Sequence, residues 1–186
     1  MTAAPIPAPG GPFDVIFADP PWNFRGGSLA KPGRNPRRHY PCLSLEEICA
    51  LPVASIAARP ALLLLWVTVP FVAAADEVLA AWGFRYKSQL TWPKERAGTG
   101  YWAMNQHELL YIATRGRFPC PKPALFPTSL IPGAQREHSR KPEWPQEVVD
   151  RRLPGARKLE LFARRPRAGW SVWGNQTELF DAVEGV

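Results

Sequence analysis

The segment Asp19-Pro20-Pro21-Trp22 combines a carboxylate, two rigid prolines and a flat indole ring. Proline has a fixed φ and no backbone N–H, so this turn presents carbonyl acceptors without competing donors. The indole of Trp22 offers a face on which a planar group can stack, a contact worth roughly 1–3 kcal/mol. The alternative is a proline-stiffened turn whose tryptophan belongs to the core.

These residue types suit the chemistry of an exocyclic aromatic amine such as the 6-amino group of adenine. That nitrogen is a poor nucleophile because its lone pair is delocalised into the ring. The Asp19 carboxylate and a backbone carbonyl, that of Pro20, can accept its two hydrogens. Held in this way, the nitrogen moves towards a tetrahedral geometry and recovers its lone pair. The motif therefore predicts a methyl-acceptor pocket.

Basic side chains are concentrated in three loops. They are Arg34, Arg37 and Arg38, then Arg136, Arg140 and Lys141, and then Arg164, Arg165 and Arg167. Together with the formal net charge of +7, these clusters favour a phosphate-bearing partner. Ordinary solvated arginines are the alternative, because a positive balance by itself also serves solubility.

Apolar runs predict the elements that position these groups. Phe13–Ala18 and Ala61–Val67 are almost continuously apolar, which is typical of strands buried on both faces of a parallel sheet. Further strands are predicted at Phe84–Trp92, Glu108–Ala113, Leu159–Phe162 and Trp170–Trp173, and helices at Leu45–Leu51, Phe71–Trp82 and Pro145–Leu153. Strands alternating with helices predict an α/β sheet with helices on both faces.

Ligands of such sheets bind beyond the carboxyl ends of the strands. We therefore expect the site to be formed by the loops that start at Asp19, Thr68, Trp92, Thr114 and Arg164. The segment Asn105–Glu108 opens a predicted strand on this face. There His107 either orients the substrate or pairs with Glu108 in the interior.

Four sequence blocks follow one another in a characteristic order. They are Asp14–Trp22, His138–Pro142 (HSRKP), Lys158–Arg164 (KLELFAR) and Trp173–Gln176 (WGNQ). In this order they resemble the adenine 6-amino methyltransferases related to the seventy-kilodalton catalytic subunit of the messenger-RNA adenosine methyltransferase. The resemblance covers about Asp14 to Gln176, nearly the whole chain.

The resemblance implies a Rossmann-like class I methyltransferase fold that uses S-adenosylmethionine. Its order is permuted, with the Asp-Pro-Pro-Trp motif ahead of the cofactor-binding strand, and no Gly-rich loop is expected. The implied catalytic residues are Asp19, Pro20, Pro21 and Trp22. The chain would form a single domain over residues 12–186, preceded by a flexible Pro-rich tail at 1–11.

The resemblance also assigns the cofactor residues. Asp14 should border the adenine of the cofactor, Lys141 should reach its carboxylate, and Phe162 with Arg164 should line the ribose and adenine side. Asn175 and Gln176 should bond the ribose hydroxyls, since amides both donate and accept. The segment Arg165-Pro166-Arg167 departs from the His/Asn pair of eukaryotic members, so its role stays open.

The implied reaction is methyl transfer from S-adenosylmethionine to the 6-amino group of adenine in nucleic acid. Substrate contacts are expected from Arg37, Arg38, Tyr40, His107 and Arg140. DNA is favoured over RNA because the chain carries no zinc-finger or other RNA-binding module. The alternatives are an RNA adenosine methyltransferase and a catalytically silent nucleic-acid-binding subunit. A homodimer or a partner subunit is a further expectation.

Composition excludes several other classes. The apolar run Ala61–Ala75 is interrupted and shorter than the roughly 18 residues of a membrane span. The first eleven residues lack the features of a secretory signal. Three scattered cysteines and three scattered histidines show no metal-ligand spacing, so no metal site is expected. A reducing cytoplasm fits this cysteine usage.

Overall fold

The computed structural model describes residues 11–23, 42–98, 100, 102–136 and 140–174. The strands are β1 (Phe13–Ala18), β2 (Ala57–Thr68), β3 (Arg85–Pro93), β4 (His107–Arg115), β5 (Lys158–Leu161) and β6 (Trp170–Trp173). The helices are α1 (Leu45–Cys49), α2 (Val53–Ile56), α3 (Val72–Ala81) and α4 (Trp144–Arg152), with a 3₁₀ turn at Val69–Phe71. None of these helices is long and apolar enough to cross a bilayer.

The six strands form one sheet in the order β3-β4-β2-β1-β5-β6. β1 runs parallel to β2 and β5, and β5 runs parallel to β6. β4 is antiparallel to both of its neighbours, β2 and β3. The mixed α/β sheet is that of a Rossmann-like fold, which confirms the predicted fold class.

The direction of β4 corrects one predicted loop of the site. Because β4 is antiparallel, its carboxyl end at Thr114 pairs with Arg85, at the start of β3, and with Leu62 in β2. Thr114 therefore lies at the edge opposite to Asp19. The amino end of β4 lies at the Asp19 edge instead, since His107 pairs with Pro93 at the end of β3 and Glu108 pairs with Thr68 at the end of β2.

Helices cover both faces of the sheet, as the alternation of elements predicts. On one face, Ile16 and Leu63 pack in a buried cluster with Ile48 of α1 and Val78 of α3. On the other, Val15, Phe17 and Leu62 lie in a second cluster with Val148 and Val149 of α4. The two-sided burial explains why β1 and β2 are apolar at nearly every position.

Local signals fix the helix ends close to their predicted positions. Ser44 caps α1 through a capping box with Glu47, and Gly83 takes a φ of 76° directly after α3 and Trp82. The predicted helix Leu45–Leu51 is shorter, because α1 ends at Cys49 and α2 begins beyond Pro52. β2 also begins four residues earlier than the apolar run Ala61–Val67.

Candidate active site

A cavity opens at the carboxyl edge of β1 and β5, where three predicted blocks meet. It is lined by Phe17, Asp19, Trp66, Arg140, Lys141, Glu143, Gln146, Glu160, Phe162, Arg164, Arg165 and Arg167. Asp19 directly follows β1, and Lys141 lies in the segment before α4. Glu160 belongs to β5, and the loop after β5 supplies Phe162, Arg164, Arg165 and Arg167. The structure thus brings together Asp19, Arg140, Lys141, Phe162 and Arg164, as the sequence predicts.

Backbone hydrogen bonds hold the turn after Asp19. The Pro20 carbonyl accepts the Trp22 N–H at 2.8 Å, and the Pro21 carbonyl accepts the Leu43 N–H at 3.0 Å. Pro20 is buried, whereas the side chain of Asp19 keeps 20% of its surface exposed. A carbonyl has two lone pairs, so the Pro20 oxygen can accept a second donor besides Trp22.

Trp22 occupies the core instead of presenting a free face. It is 7% exposed, and its ring stacks on Phe71 with centroids 5.2 Å apart. Its Nε1 donates to the carbonyl of Trp66 in β2 at 3.0 Å. The described residues therefore favour the alternative interpretation, in which Trp22 anchors the Asp-Pro-Pro turn to the sheet, over a role in stacking the base.

Lys141 is the central charge of the cavity. Its Nζ donates to Asp19 Oδ1 at 3.0 Å and to Oδ2 at 2.9 Å, and it lies 3.2 Å from Glu108 Oε2. The ammonium also lies 5.6 Å from the centroid of the Trp66 ring. Burial disfavours the charged amine, but Asp19 and Glu108 outweigh it and hold the pKa of Lys141 above its ordinary value.

Glu108 and Lys94 extend this charge network behind Lys141. Glu108 is 8% exposed at the start of β4, and Lys94, directly after β3, forms an ion pair with its Oε1. Burial opposes ionisation of Glu108, but Lys141 and Lys94 outweigh it and lower the pKa of the carboxyl. Glu108 belongs to the segment Asn105–Glu108 that is predicted for this edge, whereas no motif in the sequence marks Lys94.

Glu160 is a second carboxylate that the structure adds to the cavity. Glu160 stands between Leu159 and Leu161, and on a buried strand a charged residue at such a position predicts a structural pairing. Its Oε2 accepts from Gln146 Nε2 at 2.9 Å. Burial, with the charge of Asp19, raises the pKa of Glu160 to about 7. The carboxyl is therefore poised between its neutral and ionised forms near neutral pH.

Phe162 and Gly174 bring the last two blocks together. Phe162 has a φ of 63°, and its ring meets that of Trp173 at 5.4 Å between centroids. A Cβ at Gly174 would lie 2.3 Å from the carbonyl oxygen of Ala163, so only glycine fits this close approach. Gly174, directly after β6, thus lies against the segment that carries Phe162.

Asp14 is not brought to the cavity. It is the second residue of β1 and lies near the opposite edge of the sheet from Asp19. Its carboxylate accepts the backbone N–H of Arg157 at 2.9 Å and pairs with that guanidinium at 3.5 Å. The structure therefore assigns Asp14 to the junction with β5, and we drop it from the cofactor residues.

The other predicted residues have different outcomes. His107 lies at the same edge of the sheet as Asp19, where it is half-buried and outside the cavity lining. Arg37, Arg38, Tyr40, Asn175 and Gln176 lie outside the described residues, as do residues 1–10 of the predicted tail. Within the described part of the chain, no group of three or more His, Cys, Asp or Glu residues is arranged to hold a metal ion.

Comparisons with known proteins match most of the chain. The sequence model of the MT-A70 family matches residues 13–176. Type II methyltransferase M.MunI of Mycoplasma sp is 30% identical over 178 residues, which cover 87% of this chain and 76% of that protein. The N(6)-adenosine-methyltransferase MT-A70-like of Arabidopsis thaliana is 32% identical over 176 residues, covering 89% of this chain and 24% of the relative. The N(6)-adenine-specific methyltransferase METTL4 of Mus musculus is 28% identical over 192 residues, which cover 92% of this chain and 39% of that protein.

Proposed function

This chain belongs to the MT-A70 family, and we propose that it transfers a methyl group from S-adenosylmethionine to the 6-amino group of adenine in nucleic acid. The observation that carries the proposal is the position of Asp19. Its carboxylate follows β1 on a turn fixed by two prolines and faces the cavity that Lys141 and Phe162 also line. A fixed acceptor at the edge of the sheet is what an amine substrate requires.

Asp19 and Pro20 would hold the acceptor amine. The carboxylate of Asp19 accepts one amine hydrogen and the remaining lone pair of the Pro20 carbonyl accepts the other. The bonds that Pro20 and Pro21 accept from the backbone, at 2.8 and 3.0 Å, keep the turn from moving when the amine arrives. Preorganised acceptors of this kind need no rearrangement as charge develops on the nitrogen.

The cavity also fits the proposed cofactor. S-adenosylmethionine, when bound, supplies an electrophilic methyl group on a sulfonium, together with a carboxylate, an ammonium and a nucleoside. Lys141 would bind the carboxylate, while Phe162 and Arg164 would line the nucleoside side. Asp19 and Glu160 add two carboxyls to the same cavity, which suits a ligand with positive groups and hydroxyls.

We propose DNA as the preferred polymer. Support comes from the share of each relative's length that this chain covers. The share is 76% for the type II methyltransferase M.MunI and 24% for the plant N(6)-adenosine-methyltransferase. Substrate contacts from Arg37, Arg38, Tyr40, His107 and Arg140 belong to the same proposal. A second copy or a partner subunit would complete the grip on the strand.

A labelling experiment tests the proposal directly. The protein is incubated with S-adenosylmethionine carrying a labelled methyl group and with matched DNA and RNA pools, and the nucleosides are analysed by mass spectrometry. We expect label in 6-methyladenine from the DNA pool and none with the Asp19→Ala variant. Label in a methylated cytosine, or equal label with Asp19→Ala, would contradict the proposal.

A further inference from the structure

Four arginines converge on the single carboxylate of Glu143 at the rim of the cavity. Guanidinium nitrogens of Arg136, Arg140 and Arg167 lie 3.4, 3.6 and 3.6 Å from its oxygens, and Arg165 forms a closer pair with Oε1. Arg136 and Arg140 precede α4, whereas Arg165 and Arg167 follow β5. Two segments far apart in the sequence thus build one cluster, called here the arginine rim.

The arginine rim carries more positive charge than its surroundings neutralise. Glu143 faces four guanidinium groups, and Asp150 pairs with Arg167 and also with Lys158. Glu160, whose pKa is raised to about 7, adds at most one further negative charge near Arg165 and Arg167. Burial disfavours ionisation of Glu143, but Arg165 and Arg136 outweigh it and keep its pKa below its ordinary value. Glu143 is therefore ionised at neutral pH, and the rim still has a net positive charge.

The rim is both held in place and open to solvent. Arg167 donates to Asp150 Oδ2 through Nε at 3.2 Å and Nη2 at 2.8 Å, and Asp150 also accepts from Trp170 Nε1 at 2.9 Å. The side chains of Arg136 and Arg165 keep 39% and 29% of their surface exposed. Guanidinium groups that are oriented by the protein and reachable from outside can bind an oxyanion through paired N–H donors.

We propose that the arginine rim binds a phosphodiester of the nucleic-acid strand beside the adenine that enters the cavity. The inference rests on the proposed function, since Arg140, Arg165 and Arg167 line the same cavity as Asp19. A phosphate on the rim fixes the register of the strand while the base reaches Asp19. Backbone contacts of this kind position a strand without reading its sequence.

The test compares two double variants with the same loss of charge. Arg136→Gln/Arg165→Gln removes two rim arginines, and Arg59→Gln/Arg85→Gln removes two exposed arginines near the opposite edge of the sheet. Binding of a labelled single-stranded oligodeoxynucleotide with one adenine is measured by anisotropy over a series of KCl concentrations. Each phosphate contact contributes about 0.7 to the slope of log affinity against log salt for single strands.

We expect the slope to fall by about 0.7 in the rim variant, as for the loss of one phosphate contact, and by much less in the control variant. Equal slopes in the two variants would overturn the inference. Titration calorimetry with S-adenosylhomocysteine gives a second readout, in which the rim variant should match the unsubstituted protein within about twofold. A tenfold loss of that affinity with an unchanged slope would assign the arginines to the cofactor and also overturn it.

The two proposals fail in different ways. If the unsubstituted protein binds the strand with a steep salt slope that depends on the rim but methylates no adenine, the proposed function falls and the phosphate site stands. If adenine is methylated but the slope is independent of Arg136 and Arg165, the phosphate site falls alone. If the unsubstituted protein binds no strand, both fall.

Discussion

Lys141 Nζ donates to both carboxylate oxygens of Asp19, at 2.9 and 3.0 Å. The two residues are 122 positions apart, and the sequence assigns them to different ligands, Asp19 to the acceptor amine and Lys141 to the cofactor carboxylate. Their direct pairing couples the two halves of the site. A change at either residue therefore acts on both ligands through one shared ion pair.

Asp19→Asn should stop methyl transfer without preventing cofactor binding. The amide has the size of the carboxylate but loses the negative charge that stabilises the amine as it becomes positive, which costs about 10²-fold or more in rate. Lys141 keeps Glu108 as a partner at 3.2 Å, so cofactor affinity should change by only a few-fold. Single-turnover rates and titration calorimetry measure the two effects, with the exposed Asp76→Asn as a control.

An Asp19→Asn protein that transfers the methyl group at the rate of the Asp76→Asn control would remove Asp19 from the chemistry. A loss confined to cofactor affinity would instead make the Asp19 and Lys141 pair part of the cofactor site alone. The comparison therefore separates the two roles that the ion pair joins.

Glu160 should make the stability of the protein depend on pH between about 4.5 and 7. Its pKa rises from 4.5 to about 7 on folding, mainly through burial. Because the folded state then binds more protons than the unfolded state in this range, stability falls as pH increases and levels off above 7. Removing the ionisable group should abolish this loss, which corresponds to about 3 kcal/mol.

Urea unfolding of Glu160→Gln and of the unsubstituted protein at pH 5 and pH 8 measures this effect. The variant should be the more stable of the two at pH 8, and the difference should shrink at pH 5. Glu147 is an exposed residue of α4, the helix that carries the Glu160 partner Gln146. Its substitution Glu147→Gln should leave the pH dependence of stability unchanged. Parallel behaviour of Glu160→Gln and Glu147→Gln would show that Glu160 titrates normally.

Trp22 should act through stability and not through stacking of the base. Trp22→Ala removes a buried ring that stacks on Phe71, a change that typically costs about 3–5 kcal/mol. Trp22→Phe keeps a ring but leaves the carbonyl of Trp66 without its donor, at a cost of about 1–2 kcal/mol. Thermal unfolding and kcat/KM of the folded fraction distinguish the two roles. A large fall in kcat/KM for a fully stable Trp22→Phe protein would restore the stacking role.

Much of the fold could be predicted because burial on both faces leaves a strong signal. Phe13–Ala18 and Trp170–Trp173 have the bounds that their apolar patterns predict. The direction of β4 could not be predicted in the same way. A buried strand is apolar whichever way it runs, so the position of Thr114 depended on a pairing that the pattern does not encode.

The candidate site was predictable where a motif carries it. Asp19 and Lys141 belong to ordered blocks, and the structure places them in contact. Asp14 belongs to the same block as Asp19, but five residues of strand carry it to the other edge. Lys94 pairs with Glu108 and Glu160 pairs with Gln146, in each case across the fold. No local sequence pattern predicts these pairings.

Lys94 should support cofactor binding from behind the cavity. It pairs with Glu108, which in turn faces Lys141. Lys94→Met leaves a carboxylate uncompensated beside the ammonium proposed to hold the cofactor carboxylate, so the affinity for S-adenosylhomocysteine should fall by about tenfold. Lys94→Arg keeps the charge and should retain most of the affinity. Thermal unfolding of both variants shows whether the folded state is intact.

A double-mutant cycle with Glu108→Gln tests this mechanism against a purely structural one. If Lys94 acts by neutralising Glu108, then Lys94→Met should have little further effect once Glu108 is uncharged. The coupling energy in cofactor binding should then be about 1–2 kcal/mol, within the range typical of residues in one charge network. Independent, additive losses in the cycle would mean that Lys94 acts on the fold of the loop after β3, and not through the charge of Glu108.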